Sequence, residues 1–513
     1  MRISSLVIAA LPAGSAAWSG PLLPHRLHNA RAHTISLTAR EDDASGHLSR
    51  LVDWISNTGG DVSRMRIDEA DGIRGAVLNT PLSPLETELM VVPVALALSD
   101  DVDTLLDTPF GTAIGRSGLL LMQPDARLAV RLLCEKALGS SSMWHDYIQL
   151  LPSHVCVARH LSDEALLASR SSFLLQQAML ARKYADGLFS TLSRLSAVQP
   201  DALCFDADQL GWALDICHSR ALTVDMGGSI GKRRFLVPLI DMLNHSPRDP
   251  DCGFSYDDTD DPPSFIVELK EPKGDEPPRA RPQVGAQIWL DYGPQTSEEL
   301  LLMYGFVPTS PTPFDCIALE GAYTQADVAA MPGDVTVLDE KRALLTSCRY
   351  DAPREFGLAA DGHIDPAIVC ALRLVYLDAE EAADEHSLHR ALLHAPVSAS
   401  NERRVAVALR TRLVDVLDEQ APLEEDRLLL GDDEEAWAEL ADIEGEEALE
   451  GDGSEQMRCA VQVRANRKEI LADYVARLDG FLTAHDDESL ARERPLNLLD
   501  DCFTDYMPSI RMT

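Results

Sequence analysis

Apolar and polar positions alternate over Gln287-Ile288-Trp289-Leu290-Asp291-Tyr292 and the run stops at Gly293-Pro294, which predicts a half-buried strand ending in a turn. Thr296 and Glu299 then stand at capping-box spacing ahead of Leu300-Leu301-Leu302-Met303-Tyr304, an apolar helical turn. Gly305 falls where a helix C′ glycine belongs, so one short helix returns a second tyrosine toward the first. Upstream, Phe235-Leu236-Val237-Pro238-Leu239-Ile240 is a continuous apolar run, the pattern of a buried segment, and it leads into Asp241-Met242-Leu243-Asn244-His245-Ser246. A short helical segment from near Asp208 precedes Ser219-Arg220. In the C-terminal third the period changes. Asp365-Pro366 reads as an N-cap and first helical position, with Ile368, Leu372 and Val375 behind it at helical spacing. Val405, Leu409, Leu413 and Leu417 repeat that spacing, and Met457, Val461, Leu471, Val475 and Leu478 follow it more loosely.

The ordered set Asp241-Met242-Leu243-Asn244-His245-Ser246, Tyr292-Gly293 and Tyr304-Gly305-Phe306 resembles the paired signature of SET-domain protein methyltransferases. The branch is the Rubisco large-subunit methyltransferase type, which also includes plastid, nuclear and actin-histidine methyltransferases. The resemblance covers residues 48–480 and is sharpest over 219–307. It implies an α+β fold: a β-rich SET domain with a knot-like crossing at the Asn-His and Tyr-Gly segments, a helical insert, and an all-helical substrate-binding lobe. The expected layout is a targeting presequence over 1–40, a SET domain over 48–310 with its insert at about 110–205, the lobe over 320–485 with an acidic loop at 431–455, and a tail over 486–513. Residues 142–148 and 150–152 fall in the insert, where Trp144 and Tyr147 are expected to pack in the core without a catalytic role.

The chemistry implied is methyl transfer from S-adenosylmethionine (SAM) to a protein lysine. A neutral amine must attack, and neutralising a free lysine near physiological pH costs about 4 kcal/mol. A narrow apolar channel lowers that cost by desolvating the ammonium form, and a phenol with backbone carbonyls then aims the lone pair. The resemblance makes Tyr292 the catalytic phenol and assigns SAM to Gly72, Ile73, Arg74, Arg220, Asn244, His245 and Tyr292. Arg220, Asp241 and Tyr304 would line the substrate side, and no metal is required. The first cofactor segment, Asp71-Gly72-Ile73-Arg74-Gly75-Ala76-Val77, departs from the usual pattern in placing Ile73 at a glycine position; a strand over 89–93 should follow it. From the residues alone, Tyr304 is an ordinary packed aromatic, His245 a satisfied core histidine, and Asp241 a brace for its loop.

Charge narrows the partners. The formal net charge is −38, and residues 431–455 contain 12 acidic residues and no Lys or Arg. Such a block reads as a solvated segment between helices, with a docking tail for a basic partner as the alternative, and the balance disfavours nucleic-acid binding. Residues 257–281 read as a second polar insertion loop. Ten cysteines stand singly with no Cys-x-x-Cys, which disfavours structural zinc and a disulfide framework and suits a reducing compartment. The first 40 residues lack Asp and Glu; residues 3–17 form a short apolar run, followed by Arg26, Arg31 and Arg40. That arrangement resembles the bipartite plastid presequence of algae with complex plastids, giving a plastid stroma destination with cytoplasm or nucleus as alternatives. A mature protein without a membrane span and a monomer are expected. The competing class is a SET-derived binding module without activity, motivated by Ile73 and by Ser297, which stands where the branch commonly has Asn; histidine or histone methylation is the other alternative.

Overall fold

The computed structural model describes residues 41–503 apart from 71–72, 197–203, 229, 260, 272–279, 322, 351–354, 394, 432–452 and 487–496. The presequence region 1–40, Gly72 and most of the acidic block therefore lie outside the described residues. In chain order the strands are β1 Met65–Ala70, β2 Ile73–Leu78, β3 Glu88–Pro93, β4 Leu98–Ser99, β5 Leu222–Asp225, β6 Lys232–Leu236, β7 Asn244–His245, β8 Cys252–Asp257, β9 Ser264–Leu269, β10 Trp289–Leu290, β11 Cys316–Glu320 and β12 Glu355–Ala359. The first helices are α1 Glu41–Asn57, α2 Val102–Leu106, α3 Pro109–Leu121, α4 Pro124–Ala137, α5 His145–Leu150, α6 Asp163–Ala168, α7 Ser172–Ser196, α8 Ala207–Arg220 and α9 Ser297–Tyr304. The C-terminal helices are α10 Gln325–Ala329, α11 Val335–Ser347, α12 Pro366–Val375, α13 Ala379–Ala382, α14 Glu385–Ala391, α15 Ala399–Asp418, α16 Leu423–Leu430, α17 Gly453–Asp486 and α18 Leu498–Cys502.

Four small sheets share the work. A hairpin pairs β1 with β2, a five-stranded sheet runs β3-β9-β8-β10-β7, a three-stranded sheet runs β4-β6-β5, and β11 pairs with β12. The strand expected over 287–292 is shorter than its alternation suggests. Gln287 bridges Val77 of β2, whereas Trp289 and Leu290 pair in parallel with Asn244 and His245, so one extended segment divides its hydrogen bonds between two sheets. Residues 257–281 also depart from expectation: Ser264–Leu269 is no loop but β9, the strand that joins β3 to β8. Its Phe265 and Val267 are fully buried.

Capping chemistry sets the helix ends. Asp206 and Gln209 form a capping box at α8, Thr296 and Glu299 form another at α9, and Asp365 caps α12 ahead of Pro366. Gly305 ends α9 in the left-handed region at φ +79°, where a Cβ would also come 3.0 Å from the Cys156 carbonyl oxygen. The lobe is helical, with the β11–β12 pair added at its start. Its core of Phe356, Leu372, Leu409, Leu413 and Leu478 is separate from the core that holds β3, β6 and the insert helices. A third apolar cluster joins the two halves, packing Leu161, Leu166, Leu174, Leu301 and Val307 against Met457 and Val461 of α17. Among the described residues no helix is long and apolar enough to cross a membrane.

Candidate active site

The sheet register places the two signature segments side by side. β10 lies between β7 and β8, which carries the chain onward so that the Tyr292 amide donates to His245 Nδ1 at 3.1 Å. The Tyr292 hydroxyl donates to the Leu243 carbonyl at 2.5 Å, and its ring stacks on His245 with centroids 4.8 Å apart. Tyr304, returned by α9, packs 4.9 Å from Tyr292, and Phe306 follows at 6.4 Å from Tyr304. The aromatic wall is continuous.

From the opposite direction α8 delivers Arg220. Its Nη1 donates to the Asp241 carbonyl at 2.9 Å and lies 3.5 Å from the Asp241 carboxylate. Leu239, directly ahead of the turn Ile240–Met242 that holds Asp241, sits at φ +67°. A left-handed leucine costs about 1–2 kcal/mol, and such strain persists where the surroundings enforce it. Asn244 Nδ2 donates to the Arg74 carbonyl of β2 at 3.0 Å. Gly75 permits that approach, because a Cβ there would come 2.6 Å from Asn244 Nδ2.

These segments enclose a cavity of about 360 Å³ whose wall includes Ile73, Arg74, Arg220, Asp241, Asn244, His245, Tyr292 and Tyr304. Every expected site residue except Gly72, which lies outside the described residues, is thus brought to one place. Tyr147 was missed. It is fully buried, as expected for a core residue, but its hydroxyl donates to Asp241 Oδ2 at 2.8 Å, so the insert reaches the site. Nothing in the local sequence signals this contact, which spans 94 positions. Gln287 was also missed; its Nε2 falls 3.1 Å from where a Gly75 Cβ would be.

Burial dominates the electrostatics. It pushes the Tyr292 and Tyr304 phenols up, so both stay protonated at neutral pH, and it pushes the His245 imidazole down toward its neutral form. It also raises Asp241, against the opposing pull of Arg220 and the Tyr147 hydroxyl. Arg74 is lowered by burial and by the nearby Arg220 charge. Asp241 Oδ1, His245 Nε2 and Gln287 Nε2 are buried without a hydrogen-bond partner. Buried polar atoms are normally satisfied, and two of these belong to residues that line the cavity, Asp241 and His245, which marks a place suited to a ligand. Elsewhere, His47, His145 and Asp146 bring three potential ligand atoms within 4.8 Å of one another, but the Arg50 guanidinium already lies 2.8 Å from both His47 Nδ1 and Asp146 Oδ1.

Ser297 has a different duty from the one its position suggested. Its amide and hydroxyl both donate to Asp315 at 2.5 Å, and Asn466 of α17 donates to its oxygen at 3.1 Å. It ties α9 to the lobe and is not in the cavity wall.

This architecture has known counterparts. Residues 333–471 match the family model described as Rubisco LSMT substrate-binding. The fold superimposes on the SET domain of LSMT crystallised with methyllysine and AdoHcy at a TM-score of 0.52 and 19% identity, covering 88% of this chain and 96% of that one. Over 323 residues the chain is 25% identical to the chloroplastic fructose-bisphosphate aldolase-lysine N-methyltransferase of Arabidopsis thaliana, covering 60% of this chain and 62% of that protein. It is 23% identical to the actin-histidine N-methyltransferase of Danio rerio over 392 residues, 73% of this chain and 59% of that protein. The matched regions thus span about three-fifths of those two relatives. The chain has the SET fold of the Rubisco LSMT type and carries that type's substrate-binding region.

Proposed function

We propose that this protein transfers a methyl group from SAM to a lysine amine of a folded protein. The observation that carries this reading is the convergence of Asn244, Arg220 and the Tyr292 hydroxyl on one cavity whose buried polar atoms lack partners. The donor set fits SAM. Arg74 and Arg220 offer guanidinium groups for a carboxylate, Asn244 and the peptide groups of Arg74 and Gly75 offer an amide cradle, and the unpartnered His245 Nε2 supplies a further polar contact. SAM, when bound, supplies an electrophilic methyl group on a sulfonium.

The chain's own residues prepare the amine. Tyr292, Tyr304 and Phe306 make an aromatic wall suited to a slim alkyl stem, and their faces favour the cationic methylated product. Burial and the two arginine charges both disfavour the ammonium form, while Asp241 is engaged by Arg220 and Tyr147. Because the Tyr292 proton is committed to the Leu243 carbonyl, the phenol oxygen is left to accept an N–H from the incoming amine and orient its lone pair. Positioning of this kind supplies most of the rate, and no charged base is involved.

The lobe selects the protein substrate at a surface remote from the channel, which admits one side chain. A stromal protein is the proposed target class, supported by the acid-free segment 1–40 and by the chloroplastic relative. A fluorescent fusion of residues 1–40 expressed in an alga with complex plastids tests the destination; cytosolic or nuclear signal from the full-length fusion would remove it. Mass spectrometry of proteins methylated by the purified chain tests the acceptor. Methyl groups on lysine support the reading, and methyl groups on histidine would replace it with the actin-type reaction.

A further inference from the structure

The cysteine pattern disfavours a thiolate zinc site, but the fold assembles a different donor set. His47 lies on α1, and His145 and Asp146 open α5, the helix of the insert that also carries Tyr147. The packing of α5 on α1 brings His47 Nδ1 to 2.6 Å from Asp146 Oδ1 across 99 positions. The His145 ring meets the His47 ring edge to face, with centroids 5.6 Å apart, and bonds to none of the described residues. One donor atom from each of the three residues falls within 4.8 Å of the others.

Arg50 completes the cluster and brings a conflict into it. Its Nη2 lies 2.8 Å from His47 Nδ1 and 2.8 Å from Asp146 Oδ1. One ring nitrogen cannot serve both neighbours. Protonated, Nδ1 donates to Asp146 but meets an N–H of Arg50 head-on. Bare, it accepts from Arg50 but faces a carboxylate lone pair at 2.6 Å. A metal ion in the guanidinium's place removes the conflict, because a bare imidazole and a carboxylate both give it a lone pair.

We propose that His47, His145 and Asp146 form a zinc site that staples α1 to the insert, with the Arg50 guanidinium as the cation that zinc displaces. Two imidazoles and one carboxylate suit zinc, and water takes the remaining position. A tetrahedral ion about 2.0–2.1 Å from each donor holds the donors about 3.4 Å apart. The 2.6 Å pair must therefore open and the widest pair close, by rotation of the side chains. The Arg50 side chain is 56% exposed, and an ion pair so exposed holds weakly, so the guanidinium can leave for solvent. The bound ion fixes the turn from which Tyr147 reaches Asp241.

The ion has no part in methyl transfer, and the proposal is tested without activity. The untagged, reduced full-length chain is titrated with zinc chloride by calorimetry, before and after native alkylation of its thiols. The expected result is one saturable site per chain at micromolar zinc, unchanged by alkylation, with the thermal midpoint rising as zinc is added. His145→Ala removes a ring that bonds to no described residue, so folding should hold while zinc affinity falls. Outer-shell partners alone are worth about 10–100-fold in metal affinity, so loss of a ligand should cost about 100-fold or more. Arg50→Ala removes the competing cation and should tighten binding by about threefold. Should His145→Ala not fold, the Arg50→Ala titration decides by itself. Zinc binding that alkylation abolishes, equal affinity in wild type and His145→Ala, no tighter binding in Arg50→Ala, or no saturation at micromolar zinc would overturn the proposal.

Discussion

At Tyr292 the proposed chemistry rests on a single hydroxyl, which also donates to the Leu243 carbonyl. The Tyr292 ring packs against His245 and Tyr304, so Tyr292→Phe keeps those ring contacts and removes the oxygen proposed to orient the amine. The expected outcome is a folded chain whose thermal midpoint falls slightly, because the Leu243 carbonyl loses its donor, with kcat reduced by about 10²–10⁴-fold. Tyr147 predicts a different signature. Asp241 has a raised carboxyl pKa, chiefly from burial, and the Tyr147 hydroxyl works against that rise. A carboxyl whose folded pKa lies above its unfolded value costs stability in its charged form, and the cost is fully present above the folded pKa. Tyr147→Phe removes a donor to that charged form, at about 1–3 kcal/mol for a buried acceptor left unsatisfied. Its deficit in thermal midpoint should therefore be larger in mildly alkaline than in mildly acidic buffer, where a protonated Asp241 tolerates the loss. Equal deficits at both would show that Tyr147 is packing alone.

At the scale of elements, the site depends on close backbone approach between β2 and β7. Gly75→Ala drives a Cβ to 2.6 Å from the Asn244 amide, so one of them must move. Titration calorimetry should show SAM affinity reduced by about tenfold or more, about 1.4 kcal/mol, with the fold retained; unchanged affinity would detach Asn244 from the cofactor. This contact also shows where sequence reading ends. The α9 boundaries were legible because Thr296, Glu299 and Gly305 act on their own neighbours. The apolar run into Asp241 and the short Tyr292 strand were legible for the same local reason, and the family signature joined them. What was not legible is pairing between distant segments: Tyr147 to Asp241 across 94 positions, or β9 filling the sheet from a stretch whose prolines and acids read as a loop. Alternation also overstated β10, because an extended segment looks the same whether it pairs with one sheet or two.

Across the whole molecule, the SET half and the lobe are not independent. Beyond the shared apolar cluster, Asn466 donates to Ser297 and to the Pro308 carbonyl, and Arg467 pairs with Glu298 at 3.0 Å. Removing the lobe would expose Leu301 and Val307, so its deletion should destabilise the SET half. Asn466→Ala should destabilise the full chain by about 1–3 kcal/mol in denaturant unfolding, because it strips a buried donor from two acceptors. A neutral result would mean the joint rests on apolar packing alone. Deletion of residues 432–452, by contrast, spares every packed residue named here, since α17 begins at Gly453. The midpoint and SAM binding should hold, and a cooperative loss of folding would place those residues in the lobe's packing. The central claim, that the cavity between Asn244 and Tyr292 is a methyl-transfer site, is tested most directly by incubating the purified chain with methyl-labelled SAM and proteins from cells lacking it. Wild type should label a protein lysine, and Tyr292→Phe should bind SAM as tightly while labelling falls by about 100-fold or more. Equal labelling by the two chains, or no SAM binding by either, would contradict the account.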